Sequence, residues 1–293
     1  MTTLFRLEAS TATDAFVATA DLGPRLRRHR GFVTGAVLAM LLLLLAFIGP
    51  WIADGPNLTD YAHQLAGPSA RHWLGTDGAG RDEFARTVAG ARSSLGAALL
   101  VFVLSTAVGV TVGVAAGLVG GLLDAALSRL IELLLGLPSL VLGLAVVGAL
   151  GPGFGHLVLA LTVTGWAGLA KLARSFTLGS RIRPDVIAAR MAGIGGIRIA
   201  VGHVLPGVLG QALVAATVLL GDTILGLAGL SFLGLGVQPP TAEWGSMLND
   251  SRLDLTIAPW LLIGPGIGIV LAVTAATLLS DGLRDCTDPG HAR

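Results

Sequence analysis

The sequence predicts an all-α membrane protein with six transmembrane helices and with its N- and C-termini in the cytoplasm. Three observations predict it. Of 293 residues, 53% are hydrophobic and 13% charged, about half the charged share of a soluble domain, and mean hydropathy is +0.79. Apolar runs of roughly the 20 residues that cross a bilayer recur along the chain. The basic residues are lopsided: 171–206 holds six (Lys171, Arg174, Arg181, Arg183, Arg190, Arg198) against one acid, Asp185, while 54–92 holds four basic and five acidic residues. Positive charge stays inside, which places 171–206 in the cytoplasm and 54–92 outside. Helix parity gives the same answer. In lipid each span must satisfy its own backbone polar groups, so each is a helix.

Residues 1–30 form a polar cytoplasmic tail ending in Arg25, Arg27, Arg28, His29 and Arg30. This cluster abuts 31–53, the first transmembrane helix, and holds its N-terminus inside. A cleaved signal peptide is the competing reading; the run is long for one and no small-residue cleavage site follows. Residues 54–92 form an external segment with an amphipathic helix. Asp82 is placed to cap a helix starting at Glu83, and Arg81, Arg86 and Arg92 have carboxylates within reach.

Residues 93–285 form a core of five further spans. The second, Leu95 to Val119, carries Gly109, Gly113 and Gly117 on one face, where a neighbouring helix packs closely. Gly120 to Ser128 reads as a short turn containing Asp124. The third span runs from about Arg129 to Leu150; Arg129 and Glu132 are spaced to pair, and Pro138 kinks it. That kink either lines a pathway or serves packing. Gly151-Pro152-Gly153 is an external turn, and His156 to Phe176 is the fourth span. A cytoplasmic loop, 178–206, follows. The fifth span lies within Val208 to Val237 and carries Asp222. An acid in the bilayer costs about 2.5–3.5 kcal/mol on insertion scales, which makes Asp222 a pathway candidate; the competing reading is a hydrogen-bonded or protonated Asp locking two helices together. In the external loop 238–258, Pro239-Pro240 ends the helix and forces an extended link, and Trp244 suits the membrane interface. Pro259 to Leu279 is the last span, and 286–293 is a cytoplasmic tail.

Several chemistries are excluded. The single lysine, Lys171, follows Ala170, so there is no Gly-Lys-Ser/Thr, no P-loop and no ATP hydrolysis by this chain. One cysteine, Cys286, excludes a disulfide framework and a multi-cysteine metal site. No two of the six histidines are four apart, so no HExxH zinc site exists. Gly229-Leu-Ser231-Phe-Leu233 lacks the closing glycine of a nucleophile elbow. No basic patch with interleaved aromatics speaks for nucleic acid. The chain reads as a non-enzyme without a cofactor or metal of its own.

The chain is organised around Asp185 to Pro206, a basic island between apolar runs. Val186 to Ala192 has neither Gly nor Pro and fits about two helical turns. Gly193, Gly195 and Gly196 permit a sharp break, Ile197 to Val204 fits a second short helix, and Pro206 suits the first turn of the next. Ala188, Ala189 and Gly193, then Leu205-Pro206, resemble the coupling loop of ABC-importer permeases, written Glu-Ala-Ala, three residues, Gly, nine residues, Ile, one residue, Leu-Pro. Ile187 stands where that family has Glu, and His203 where it has Ile; histidine there is common in the peptide/nickel branch. Three more stretches resemble the same branch. They are Gly75-Thr-Asp77 with Gly80-Arg-Asp82 and Gly90-Ala-Arg-Ser93, interrupted by an extra Ser94 before Leu95; Leu230 to Leu248; and the exit Asp281-Gly-Leu-Arg-Asp285 with Asp288-Pro289. The resemblance covers roughly 70–290, and the first 70 residues carry no motif.

The resemblance implies a type I ABC-importer permease fold and the second, C-type permease of an oligopeptide, dipeptide or nickel importer in the bacterial plasma membrane. It implies that the chain forms half of a pathway for peptides, nickel chelates or related solutes. Its partners are then a homologous second permease, two ATPase subunits (or one used twice) that hold ATP and Mg, an external solute-binding protein and the lipid bilayer, with no nucleic acid. The coupling residues it implies are Val186, Ala188, Ala189, Arg190, Gly193, His203, Leu205 and Pro206; the external-loop signature is Ser231, Gly234, Gly236, Pro239, Pro240 and Trp244. The alternative is a secondary transporter using Asp222 as an ion or proton carrier. The chain's halves show no inverted repeat of the kind such transporters carry.

Overall fold

Glycine and alanine, spaced along long apolar helices, set this architecture. The computed structural model describes residues 22–52 and 55–287; the expected tails therefore lie partly outside the described residues, as do Ala53 of the first span and the Asp288-Pro289 signature. The helices are α1 (Leu22–Arg28), α2 (Arg30–Ile52), α3 (Glu83–Val119), α4 (Gly121–Leu135), α5 (Ser139–Leu150), α6 (Phe154–Arg181), α7 (Pro184–Met191), α8 (Gly196–Ile199), α9 (Leu205–Phe232), α10 (Trp244–Ser251) and α11 (Ile263–Thr287). Among the described residues there is no sheet, only an isolated bridge between Thr76 and Asp82.

Helices α2, α3, α6, the run α8–α9 and α11 with its leading turn are each long and apolar enough to cross a membrane, and α4 with α5 passes the same test as a pair. The expected glycine stripe is the seam between α3 and α6. A Cβ on Gly109 would lie 2.8 Å from the Trp166 carbonyl oxygen, one on Gly113 2.8 Å from the Ala173 Cβ, and one on Gly117 2.6 Å from the Thr177 Cβ. Bare backbone on α3 thus lets α6 approach within van der Waals contact. The pairing runs 109 to 166, 113 to 173 and 117 to 177, so the two helices are parallel. The chain between them must therefore return across the bundle. It does: Asp124 of α4 meets Arg174 at one end, and Gly143 of α5 faces the Leu230 side chain towards the far end of α9.

That return differs from expectation. The stretch from Gly120 to Ser128 is not a turn, because α4 begins at Gly121 and includes Asp124. Nor is the third span one kinked helix: α4 and α5 meet at 92° across Gly136-Leu137-Pro138. Pro138 has no N–H to donate and Gly136 tolerates the bend. Two other boundaries also move. α3 starts at Glu83, capped by Asp82 Oδ1, which accepts from Ala85 N at 2.8 Å; the expected amphipathic helix and second span are thus one rod. At about 1.5 Å per residue it is about 55 Å long, against a hydrocarbon core of about 30 Å, and so it stands well clear of the membrane. The fifth helix, α9, stops at Phe232, before the prolines. Gly234 at φ +82° allows Leu235 N to donate to Leu230 O (3.1 Å) and Gly234 N to Ser231 O (2.9 Å), a Schellman ending.

The core is built from small side chains. Ala91 and Ala98 of α3, Ala272, Ala275 and Ala276 of α11, and Ile224 of α9 close on Trp244 and Met247 of α10. α2 lies against α11, where Phe32 fills the space beside Gly282 and Leu278 the space beside Gly35; His29 Nε2 lies 3.3 Å from Asp285 Oδ2. Large apolar side chains such as Leu41, Phe47, Leu99 and Val103 point outward, the reverse of a soluble core and the arrangement lipid requires.

Candidate functional site

Three places collect the residues singled out by sequence. The first is the α7 knob. Pro184 opens it without a missing donor, and Arg183 Nη2 lies 2.9 Å from Asp185 Oδ2 in its first turn. It closes on a second Schellman ending: Gly193 at φ +76° lets Ile194 N donate to Ala189 O and Gly193 N to Arg190 O, both at 3.1 Å. Val186 and Ala189 face inward, packed with Ile199, Val204 and Val208. They anchor the knob, so of the coupling residues that the resemblance implies, Val186 and Ala189 are buried and offer no outward face. The outward face is Ile187 (44% exposed), Ala188, Arg190 and Met191 (84%). The second short helix is one turn, α8, followed by a π turn over Ala200–Val204 that holds His203 with its Nδ1 buried and unpartnered. Leu205 and Pro206 open α9. Nearby, Arg174 grips Asp124 through two bonds of 2.5 and 2.8 Å, and Arg181 Nη1 donates to the Gly117 carbonyl at 2.9 Å. These ties fix the base of the knob to α3, α4 and α6.

At the opposite end sits a cap. The Glu243 carboxylate is fully buried. It accepts from Ser94 Oγ, Gly245 N and Ser246 N, each at 2.9 Å, which caps α10. Ser94 Oγ in turn accepts from Trp244 N at 3.0 Å, and Trp244 Nε1 donates to the Thr87 carbonyl at 2.9 Å. Trp244 lies edge-on to Gly90 and across Gly268, so it is a core residue, not an interface anchor. Ser231 is buried against Gly236; Pro239 and Pro240 are exposed, and the Pro240 carbonyl accepts from Arg86 Nη1 at 3.2 Å. Arg81 and Arg86 share Asp77 Oδ2 at 2.7 and 3.3 Å; Arg92 forms no ion pair among the described residues. Asp60, in the same cap, takes a 2.7 Å bond from His63, which holds its carboxyl below the ordinary range. Glu243 and Ser94 were not singled out by sequence. The extra serine was visible only as a departure from a pattern, and its partner lies 149 residues away.

The third place is a cavity of about 210 Å³ between α3, α6, α9 and the α4–α5 break. Asp222 lines it with Ser105, Thr106, Thr164 and Gly226, and Leu135 and Ser139 bring the two ends of the broken helix to its wall. Asp222 is the only charged side chain among the described residues there. Non-helical backbone at membrane depth is tolerated only when it is buried or lines water, so the 92° break and the acid point to one and the same space. The competing reading of Asp222 as a lock between two helices finds no hydrogen bond or ion pair to it among the described residues.

The family model for the binding-protein-dependent transport system inner membrane component matches residues 109–292, and that for the N-terminal TM domain of oligopeptide transport permease C matches 21–68. The chain belongs to this permease family. The second match overturns the expectation that the first 70 residues carry no motif: α2 and the segment after it are a recognisable unit. The chain is 40% identical over 267 residues to the glutathione transport system permease protein GsiD of Escherichia coli O6:K15:H31 (strain 536 / UPEC) and of Shigella boydii serotype 4 (strain Sb227), covering 90% of this chain and 88% of theirs. It is 39% identical to that of Shigella dysenteriae serotype 1 (strain Sd197) over the same lengths. It is thus a permease subunit of an ABC importer of the peptide branch, a multi-pass protein of the bacterial plasma membrane, and not the catalytic component.

Proposed function

We propose that this chain forms half of the pathway by which small peptides, of the size of glutathione, enter the cell, and that a separate ATPase drives it through α7. The observation that carries the coupling role is the build of α7: two inward residues anchor it, while Ile187 and Met191 stand in the open beside Arg190. Exposed apolar side chains on a short, rigidly tied helix suit insertion into a groove on another protein. Ala188 is small enough to let that groove close, and Gly193, His203, Leu205 and Pro206 shape the turns behind it. In this reading α7 and both termini lie in the cytoplasm, and the Glu243–Trp244 cap and the loop 238–258 lie outside, under a solute-binding protein. A homologous permease faces the Asp222 cavity and completes the path. ATP closes the ATPase pair, α7 moves with it, and the spans rock between outward and inward openings.

The test uses the assembled transporter. Ile187→Asp with Met191→Asp changes only exposed side chains, so the permease should fold and keep its second permease. Affinity for the ATPase should fall at least about tenfold, the scale of losing two central apolar contacts, and ATP-driven uptake of labelled glutathione or a tripeptide should fall with it. Unchanged ATPase binding and uptake would remove α7 from the coupling path. A secondary transporter with Asp222 as ion carrier needs no knob, and nothing in the family favours it.

A further inference from the structure

We infer that the Asp222 cavity recognises a cationic group, of the ammonium class, on the solute as it passes, with Ser105 as the neighbouring hydrogen-bond partner. The inference rests on the permease reading above and adds to it the chemistry the path selects. Asp222 is exposed on α9 in the middle of a span, yet it points into a recess, not onto the lipid-facing surface, since residues from five helices line the space around it. Ser105 Oγ lines the same recess. It is buried, with no hydrogen-bond partner, and it packs close against Gly165, where a Cβ would lie 3.0 Å from Ser105 Oγ. A buried hydroxyl without a partner costs free energy unless something enters to satisfy it. Thr164 and Thr223 are already committed to the carbonyls of Leu161 and Leu219.

The charge balance of the wall settles the sign. The α4–α5 break brings a helix C-terminus at Leu135 and a helix N-terminus at Ser139 to the cavity, and their partial charges of opposite sign offset one another. No Lys or Arg lines the space. What remains is one carboxylate on the wall of the recess, whose field attracts a passing cation. An ammonium donates to Asp222 and to Ser105 Oγ and brings no acceptor to desolvate.

Thiol reagents of opposite charge test this in the assembled transporter. Cys286 is first replaced by Ser, then Gly226→Cys is introduced one turn from Asp222, with Thr106→Cys across the cavity as a second reporter. Each is treated with a trimethylammonium methanethiosulfonate and with its sulfonate counterpart. With Asp222 in place, the ratio of cationic to anionic reaction rate should exceed that in Asp222→Asn by about tenfold. Reaction at either reporter with the same ratio in both backgrounds would leave an aqueous path but overturn cation recognition. No reaction at either reporter in any state of the transport cycle would overturn the pathway reading itself.

Discussion

At Gly193 the backbone sits at φ +76° with nothing within 4 Å of an added Cβ. A side chain there has room but the wrong backbone, a cost of about 1–2 kcal/mol. Gly193→Ala should therefore loosen the Schellman ending without any clash, and Gly193→Asn should recover much of the loss, because Asn visits the left-handed region. The measurement is solute-stimulated ATPase activity of the assembled transporter: reduced several-fold in the Ala variant, nearer normal in the Asn variant. Equal activity in all three would show that the knob's ending carries no coupling. Gly193 stood out because three glycines interrupt the basic island and because the coupling-loop resemblance has a glycine there. Its partner in the same role, Gly234, was quoted only as part of a signature, and the prolines five residues on drew the helix end too far. A proline is a loud signal, but two backbone bonds near Gly234 had already stopped α9.

Among the elements, the α3–α6 seam shows what a four-residue glycine repeat does in lipid. There is no hydrophobic drive to bring two apolar helices together in a bilayer, so close backbone contact must hold them. Gly113→Val would push a branched side chain into the Ala173 Cβ and the backbone of Arg174. Overpacking of this kind costs typically about 1–3 kcal/mol, and here it separates the helices that frame the Asp222 cavity. The thermal midpoint in detergent should fall by several degrees, whereas Gly96→Val on the same helix, where a Cβ meets nothing within 4 Å, should leave it nearly unchanged. Equal midpoints would mean the seam does not bear on stability. This element was legible in advance because a stripe has a period. The α4–α5 break was only half legible: Pro138 announces a bend, but its 92° angle goes with Ile131 and Leu134 of α4 packing on α6 and Leu140 and Gly143 of α5 packing on α9. Asp124 was misread as turn for a related reason. Its two glycine neighbours suggested a turn, while the Arg174 side chain fifty residues away rewards a helix.

On the scale of the whole molecule the chain is visibly unfinished at both functional places. Its cavity is walled by one bundle and open on a side, and the knob with the α8 turn after it exposes Ile187, Met191 and Ile197 at 44%, 84% and 84%. Oily side chains beside Arg190 and Arg198 are the surface that the proposed ATPase contact would cover. The proposed cytoplasmic side for the knob rests on charge: moving six basic residues and one acid outward opposes the positive-inside bias, while the acidic-balanced cap meets no such barrier. The helix count agrees, because six crossings, counting the broken pair as one, return the chain to the side where α1 and α2 begin. Arg190 is exposed on α7 and forms no ion pair among the described residues, so Arg190→Cys in the Cys286→Ser background reports sidedness with little disturbance. A membrane-impermeant maleimide should fail to label it in intact cells and label it in inverted vesicles stripped of the ATPase. Restoring the ATPase should then slow the labelling in vesicles by tenfold or more, as burial in a docked interface would require. Labelling from outside intact cells would invert the topology and separate α7 from any cytoplasmic motor.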